Sequence, residues 1–89
     1  MPDLFHVNIV TPAKAAYEGE ASSLVVPAHE GYLGVLAHHA PLIAGLVPGK
    51  ITVRNNSGET FSYNSTGAGF LEVSDNNARL VLDSTEGKQ

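Results

Sequence analysis

ITVRNNSGETFSY, residues 51–63, alternates apolar and polar side chains twice and changes direction between the two runs. Ile51 and Val53 are interleaved with Thr52 and Arg54; Phe61 and Tyr63 are interleaved with Ser62 and Asn64. A period of two puts successive side chains on opposite faces of a strand, so each run has one apolar face. Asn55, Asn56, Ser57 and Gly58 between them are turn residues that tolerate φ > 0. The segment therefore reads as a β-hairpin with one buried face. Residues 70–73, the turn Ser74, Asp75, Asn76 and Asn77, and residues 78–82 repeat the pattern.

Upstream, Phe5, Val7 and Ile9 alternate with His6 and Asn8, and Thr11-Pro12 ends that strand because proline lacks the N–H that a ladder needs. AKAAYEGE, residues 13–20, is ambiguous and compatible with a helical turn whose length Gly19 limits. Residues 23–26 form a short run stopped by Pro27, and residues 31–36 resume extended structure. APLIAGLVPGK, residues 40–50, reads as short extended pieces and turns, since Pro41, Gly45, Pro48 and Gly49 interrupt it. Short strands separated by turns predict an all-β fold, a two-sheet antiparallel β-sandwich or flattened barrel. One domain is expected over residues 1–83, followed by a polar tail, residues 84–89, that frays.

The 89 residues suit one small domain, and 43% apolar content supports a packed core. Nine acids against five bases give a formal charge of −4, and Lys14, Lys50, Arg54, Arg79 and Lys88 are scattered. That pattern argues against nucleic acid as a partner. No cysteine is present, which excludes disulfides and thiolate metal sites. The N-terminus has no basic region followed by a long apolar run, and no stretch of about 18 apolar residues occurs anywhere.

GYLGVLAHHAPL, residues 31–42, raises the question of chemistry, because His38 and His39 are adjacent. Neighbouring residues on an extended segment point to opposite faces and do not chelate one ion easily. His6, His29 and Glu30 are the other candidate ligands, but no H-x-H or H-E-x-x-H spacing joins them. A small β-sandwich binding a metal or ligand through His29, His38 and His39 is the alternative reading. Nucleophilic hydrolysis has no support, since no serine sits in a G-x-S-x-G elbow. TGAGF, residues 66–70, lacks the lysine of a phosphate loop and reads as a bulge or close strand crossing. Residues 40–47 hold more aliphatic area than one short strand needs inside, and any exposed part marks a partner surface.

The same residues resemble the N-terminal domain of the epsilon subunit of F-type ATP synthase. The resemblance rests on Val10-Thr11-Pro12, on Tyr17-Glu18-Gly19, and on Gly31-Tyr32-Leu33-Gly34-Val35-Leu36 with His39-Ala40-Pro41-Leu42. Leu46-Val47-Pro48-Gly49 and the Gly-Phe-Leu-Glu-Val block at residues 69–73 extend it over nearly the whole chain. It implies a two-sheet antiparallel sandwich at the foot of the rotor stalk, without catalysis or cofactor. Its partners would be the gamma subunit and the membrane c-ring, at the cytoplasmic face of the bacterial inner membrane. By the same resemblance Thr11, His39, Ala40, Pro41 and Leu42 belong to the gamma-facing surface, where a proline turn presents His39 and apolar side chains outward. Ala28, His29, Glu30, Gly31 and Tyr32 belong to the loop directed at the c-ring.

Three departures from the family pattern matter. Ala37-His38 stands where the family usually has Pro-Gly, so the resemblance implies a turn of altered shape if that position needs φ > 0. Tyr32 stands at an often acidic position. The family's C-terminal helical hairpin has no counterpart in these residues, so its inhibitory arm and nucleotide-binding motif are not carried over.

Overall fold

The computed structural model of the chain describes residues 3–86. Nine strands lie within them: β1 (Phe5–Val10), β2 (Ala15–Ala28), β3 (Gly31–Val35), β4 (Leu42–Leu46), β5 (Gly49–Asn55), β6 (Thr60–Ser65), β7 (Gly69–Ser74), β8 (Asn77–Leu82) and β9 (Thr85–Glu86). The expected all-β fold is present. The segment compatible with a helical turn is instead the first half of β2, because pairing with β1 satisfies its backbone groups.

The long strand β2 belongs to both layers. Along one edge it pairs with β1 through residues 15–21 and then with β3 through residues 24–28. Along the other it pairs with β5 through residues 21–25 and meets β4 at Ala28 and Leu46. One layer is β1-β8-β7-β4, and the other is β3-β2-β5-β6-β9. The path β2–β1–β8–β7–β4 returns to β2, so the sandwich closes as a flattened barrel. One ladder departs from the expected antiparallel arrangement: β1 and β8 run parallel. Parallel neighbours need a long connection, and the chain between these two strands supplies it.

A β-bulge lets β2 serve both layers. Ala21 pairs with Asn55 and Ser23 with Arg54, so Ser22 is the extra residue. Its hydroxyl donates toward the Arg54 and Asn55 carbonyls at 3.3 and 3.4 Å. Ala21 faces the core before the bulge; Leu24 and Val26 face it afterwards. Without the extra residue the inward phase would pass to Ser23 and Val25. Elsewhere alternation alone suffices. Phe5, Val7 and Ile9, Ile51 and Val53, Leu71 and Val73, and Leu80 and Leu82 are all buried. Truncating Leu24 or Leu80 to alanine removes contacts worth about 2–5 kcal/mol.

The turns carry the required chemistry. Asp75 and Asn76 both have positive φ, 51° and 61°, as a two-residue type I′ turn between β7 and β8 demands. In the β5–β6 turn the Asn55 side-chain oxygen accepts the Ser57 and Glu59 N–H groups at 3.0 and 2.9 Å. Within TGAGF, a Cβ at Gly69 would sit 2.5 Å from the Val81 carbonyl oxygen and 2.7 Å from Leu82 Cδ2. The close strand approach read from the sequence is therefore real. The fraying tail expected from residue 84 is corrected in part: Thr85 and Glu86 pair with Ser65 and Asn64 of β6. Residues 87–89 of that tail lie outside the described residues.

Two tyrosines close one end of the core. Tyr63 is buried and donates from Oη to the Ala16 carbonyl at 3.2 Å, while the rings of Tyr17 and Phe61 meet at 5.7 Å. Burial raises the pKa of both phenols, and for Tyr63 the charge of Tyr17 adds to it. The folded protein thus binds these protons more tightly than the unfolded chain. Stability is complete below the ordinary phenol value of 10.0 and falls as pH rises through and above it. The urea midpoint should stay level between about pH 7 and 9.5 and then decline, with a shallower decline in Tyr63→Phe.

Candidate interaction surfaces

Four strands of one layer carry an outward face that the core leaves free. Their ladders align Asn8, Arg79, Glu72 and Ile43 in one row and Val10, Val81, Phe70 and Gly45 in another. The row between them is Ile9, Leu80, Leu71 and Ala44, of which the first three are buried, so the flanking rows point away from the core. Ile43 is 75% exposed and Phe70 is 43% exposed. The exposed aliphatic part of residues 40–47 is therefore centred on Ile43.

At one end of this sheet lies the tip of the β2–β3 hairpin. Ala28 pairs with Gly31, leaving His29 and Glu30 as the turn, and Gly31 takes φ 120°, open to glycine. The tip therefore brings Ala28, His29, Glu30, Gly31 and Tyr32 together. The His29 ring lies over Gly45 of β4, where a Cβ would come within 3.0 Å of its Cδ2. Tyr32 is exposed yet held, since its Oη accepts the Lys50 N–H at 3.4 Å and its ring hydroxyl lies beside Gly49. Glu30 is exposed and makes no ion pair among the described residues. An open cleft of about 520 Å³ separates the tip from β4, with His29, Tyr32, Leu33, Ile43 and Gly45 along it.

The loop of residues 36–41 occupies the opposite end. The His39 N–H closes a turn on the Leu36 carbonyl at 3.3 Å, and His38 takes φ 64°. This chain accordingly puts a histidine into the left-handed region that favours glycine. The His39 ring donates from Nδ1 to the Ala40 carbonyl at 2.8 Å, which assigns that proton to Nδ1. Ala40 and Pro41 are exposed. Leu42 departs from expectation: it is half-buried and packs against the core, and the outward side chain is that of Ile43. The period of two decides this, because Leu46 on the same strand faces inward.

Thr11 does not join His39, Ala40, Pro41 and Leu42. Its hydroxyl donates to the Lys14 carbonyl at 3.1 Å and accepts the Lys14 N–H at 3.2 Å in the β1–β2 turn. β1 and β4 run in the same direction, so the end of one and the start of the other lie at opposite ends of the sheet. Leu42 is level with Val7, which places Thr11 roughly 13 Å away along the strands and about 14 Å across three strand spacings. The alternative built on His29, His38 and His39 is contradicted. His29 is at one end and the other two at the opposite end, and no group of three or more potential metal ligands converges among the described residues.

Two histidine–carboxylate contacts lie on the surface, and both are weak. His6 Nε2 lies 3.6 Å from Glu18, and His38 Nε2 lies 3.8 Å from Asp3, with exposed partners in both. Neither Phe70 nor Asn76 was among the site residues expected from the sequence. Phe70 was findable by phase, since Leu71 and Val73 are inward; Asn76 was not, because its contacts are remote in sequence.

In class the protein is an all-β sandwich closed into a flattened barrel, with exposed loops at opposite ends of one layer and Ile43 and Phe70 on its outward face. Over residues 4–88 the sequence matches the family described as the ATP synthase, Delta/Epsilon chain, beta-sandwich domain, and the chain belongs to that family. It is 42% identical over 78 residues to the ATP synthase epsilon chain of Leptospira borgpetersenii, covering 88% of this chain and 60% of that protein. To the epsilon chain of Latilactobacillus sakei it is 48% identical over 82 residues, covering 90% and 56%. The chain thus spans about 60% of the length of these curated relatives. In fold it is similar to a chain of the Euglena gracilis mitochondrial ATP synthase structure of OSCP, F1 and c-ring, with a TM-score of 0.87 at 20% identity. That match covers 97% of this chain and 54% of the other. A chain of the Tetrahymena thermophila mitochondrial ATP synthase central stalk and c-ring structure gives a TM-score of 0.73 at 20% identity, covering 91% and 64%.

The different directions of Leu42 and Ile43 are testable by stability. Leu42→Asp puts a carboxylate against the core and should cost on the order of 2–4 kcal/mol in urea unfolding. Ile43→Asp should stay within about 0.5 kcal/mol of the parent, as an exposed substitution does.

Proposed function

We propose that the chain is a non-catalytic rotor-stalk subunit of an F-type ATP synthase, linking the gamma subunit to the c-ring so that rotation is coupled to ATP synthesis. The observation that carries this reading is the pair of presented surfaces at opposite ends of one closed sheet, in a chain of the epsilon family. His39, Ala40 and Pro41, extended by the outward Ile43 and Phe70, form the gamma-facing surface. Thr11 stands apart from this surface, at the end of the β1-β8-β7-β4 layer that also carries the hairpin tip. Ala28, His29, Glu30, Gly31 and Tyr32 form the c-ring-facing tip, where Glu30 offers an exposed charge and Tyr32 a fixed aromatic edge.

The mechanical logic follows from closure. Torque passing between two partners is lost if the linker bends, and a barrel whose strands are all laterally hydrogen-bonded resists shear better than an open loop structure. Catalysis is not required of such a part. Among the described residues no helix is long and apolar enough to cross a membrane, and the proposed placement is peripheral, at the cytoplasmic face of the bacterial inner membrane.

The test is capture of the gamma subunit and c-ring from membranes dissolved in mild detergent. Ile43→Asp, which leaves the fold intact, should weaken gamma binding at least tenfold, as removal of a central apolar contact does (about 1–4 kcal/mol). Glu30→Lys should spare gamma binding but weaken association with the c-ring if the ring presents basic side chains. That effect should shrink with salt, because exposed charges are screened over about 8 Å at physiological ionic strength. Failure of the parent chain to capture gamma, or full binding by Ile43→Asp, would sink the assignment.

A further inference from the structure

His38 occupies a conformation that its side chain disfavours, so something in the structure must hold it there. At φ 64° the Cβ of an L-residue crowds the following carbonyl, which is why such positions usually carry glycine. The shortest contact in the loop supplies the hold: the His38 N–H donates to Asn76 Oδ1 at 2.7 Å. The same amide group donates from Nδ2 to the Leu4 carbonyl at 2.9 Å, and the Asn76 backbone carbonyl accepts the His6 N–H at 3.1 Å. Its oxygen faces a donor and its nitrogen faces an acceptor, so only this orientation of the amide satisfies both neighbours. One residue of the β7–β8 turn therefore ties together the 36–41 loop and the entry to β1. The other link to His38, a contact of its Nε2 with Asp3 at 3.8 Å, joins two exposed side chains and contributes little.

We propose that Asn76 is the positioning residue of the gamma-facing loop. Its side chain holds His38 in the left-handed region in place of a glycine, and so fixes the direction in which His39, Ala40 and Pro41 leave the turn. This rests on the rotor-stalk reading for what the loop meets, but not for how the loop is held. Asn76 itself has φ 61°, so alanine there would add strain of its own. Glycine removes the side chain without that strain.

The experiment compares the full chain with Asn76→Gly, Asn76→Asp, His38→Gly and the double variant Asn76→Gly/His38→Gly. Two quantities are read: hydrogen exchange of the residue 38 amide, and affinity for the purified gamma subunit. Asn76→Gly should speed exchange roughly 3- to 10-fold, the effect of losing one ordinary hydrogen bond, and lower gamma affinity by a similar factor. Asn76→Asp keeps an acceptor for the His38 N–H but sets its second oxygen against the Leu4 carbonyl, so it should protect the residue 38 amide better than Asn76→Gly and less well than the parent. The double variant should recover affinity to within about twofold of His38→Gly, because glycine adopts positive φ without help. A merely structural role for the turn would not be rescued from the other side of the contact. Equal residue 38 exchange in the parent and Asn76→Gly would overturn the proposal, and so would a double variant that binds as weakly as Asn76→Gly. If the parent chain binds no gamma subunit, the rotor-stalk reading and the presentation role fall together, while the exchange measurements still decide whether Asn76 holds the loop.

Discussion

Ser22 is one residue too many for the ladder it sits in, and most of the architecture depends on that excess. A strand has a fixed period of two, so β2 could not keep one face inward while passing from β1 to β5 and β3 unless its phase moved. The bulge moves it. Ala21 packs with the first part of the strand, Leu24 and Val26 with the second, and the Ser22 hydroxyl sits near the two carbonyls that the bulge disturbs. Because both halves then turn one face toward the core, one strand joins two layers and the barrel closes through Ala28 and Leu46.

Closure places the surfaces. Once β1, β8, β7 and β4 are held in register, every second residue along them is committed to the core and the rest turn away from it. Ile43 and Phe70 are exposed because Leu71 and Leu46 are buried; no separate device turns them outward. The β2–β3 hairpin tip and the 36–41 loop are then fixed at opposite ends by strand direction alone. Two exposed loops at opposite ends of one layer follow from strand polarity.

The loop at residues 36–41 shows a local rule broken and repaired. A histidine at φ 64° is disfavoured by its own sterics, yet the Asn76 amide reaches it from a turn 38 residues away. That turn has its own requirement for positive φ, met by Asp75 and Asn76. The two irregular segments meet because β7 and β4 are neighbours, which brings the end of one beside the start of the other.

Alternation in Phe5-Val7-Ile9, Ile51-Val53, Phe61-Tyr63 and Leu71-Val73, with Asn, Asp and Gly between the runs, determined by itself that the chain is a β-sandwich and where most turns fall. Side-chain period and turn chemistry are local properties, so one sequence carries them. The family's residue blocks added the two candidate surfaces. Local pattern could not determine that β1 pairs parallel with β8, that residues 15–20 are strand, or that Thr85 and Glu86 pair with β6, since each is settled by a partner distant in the chain. Nor could it place Thr11 at the far end from His39, or exchange Leu42 for Ile43 as the exposed side chain, because both follow from strand direction and phase within the closed sheet. Tertiary structure decided these points for one physical reason: a backbone donor or an apolar face is satisfied by whatever the fold brings beside it, and that neighbour is not written next to it in the sequence.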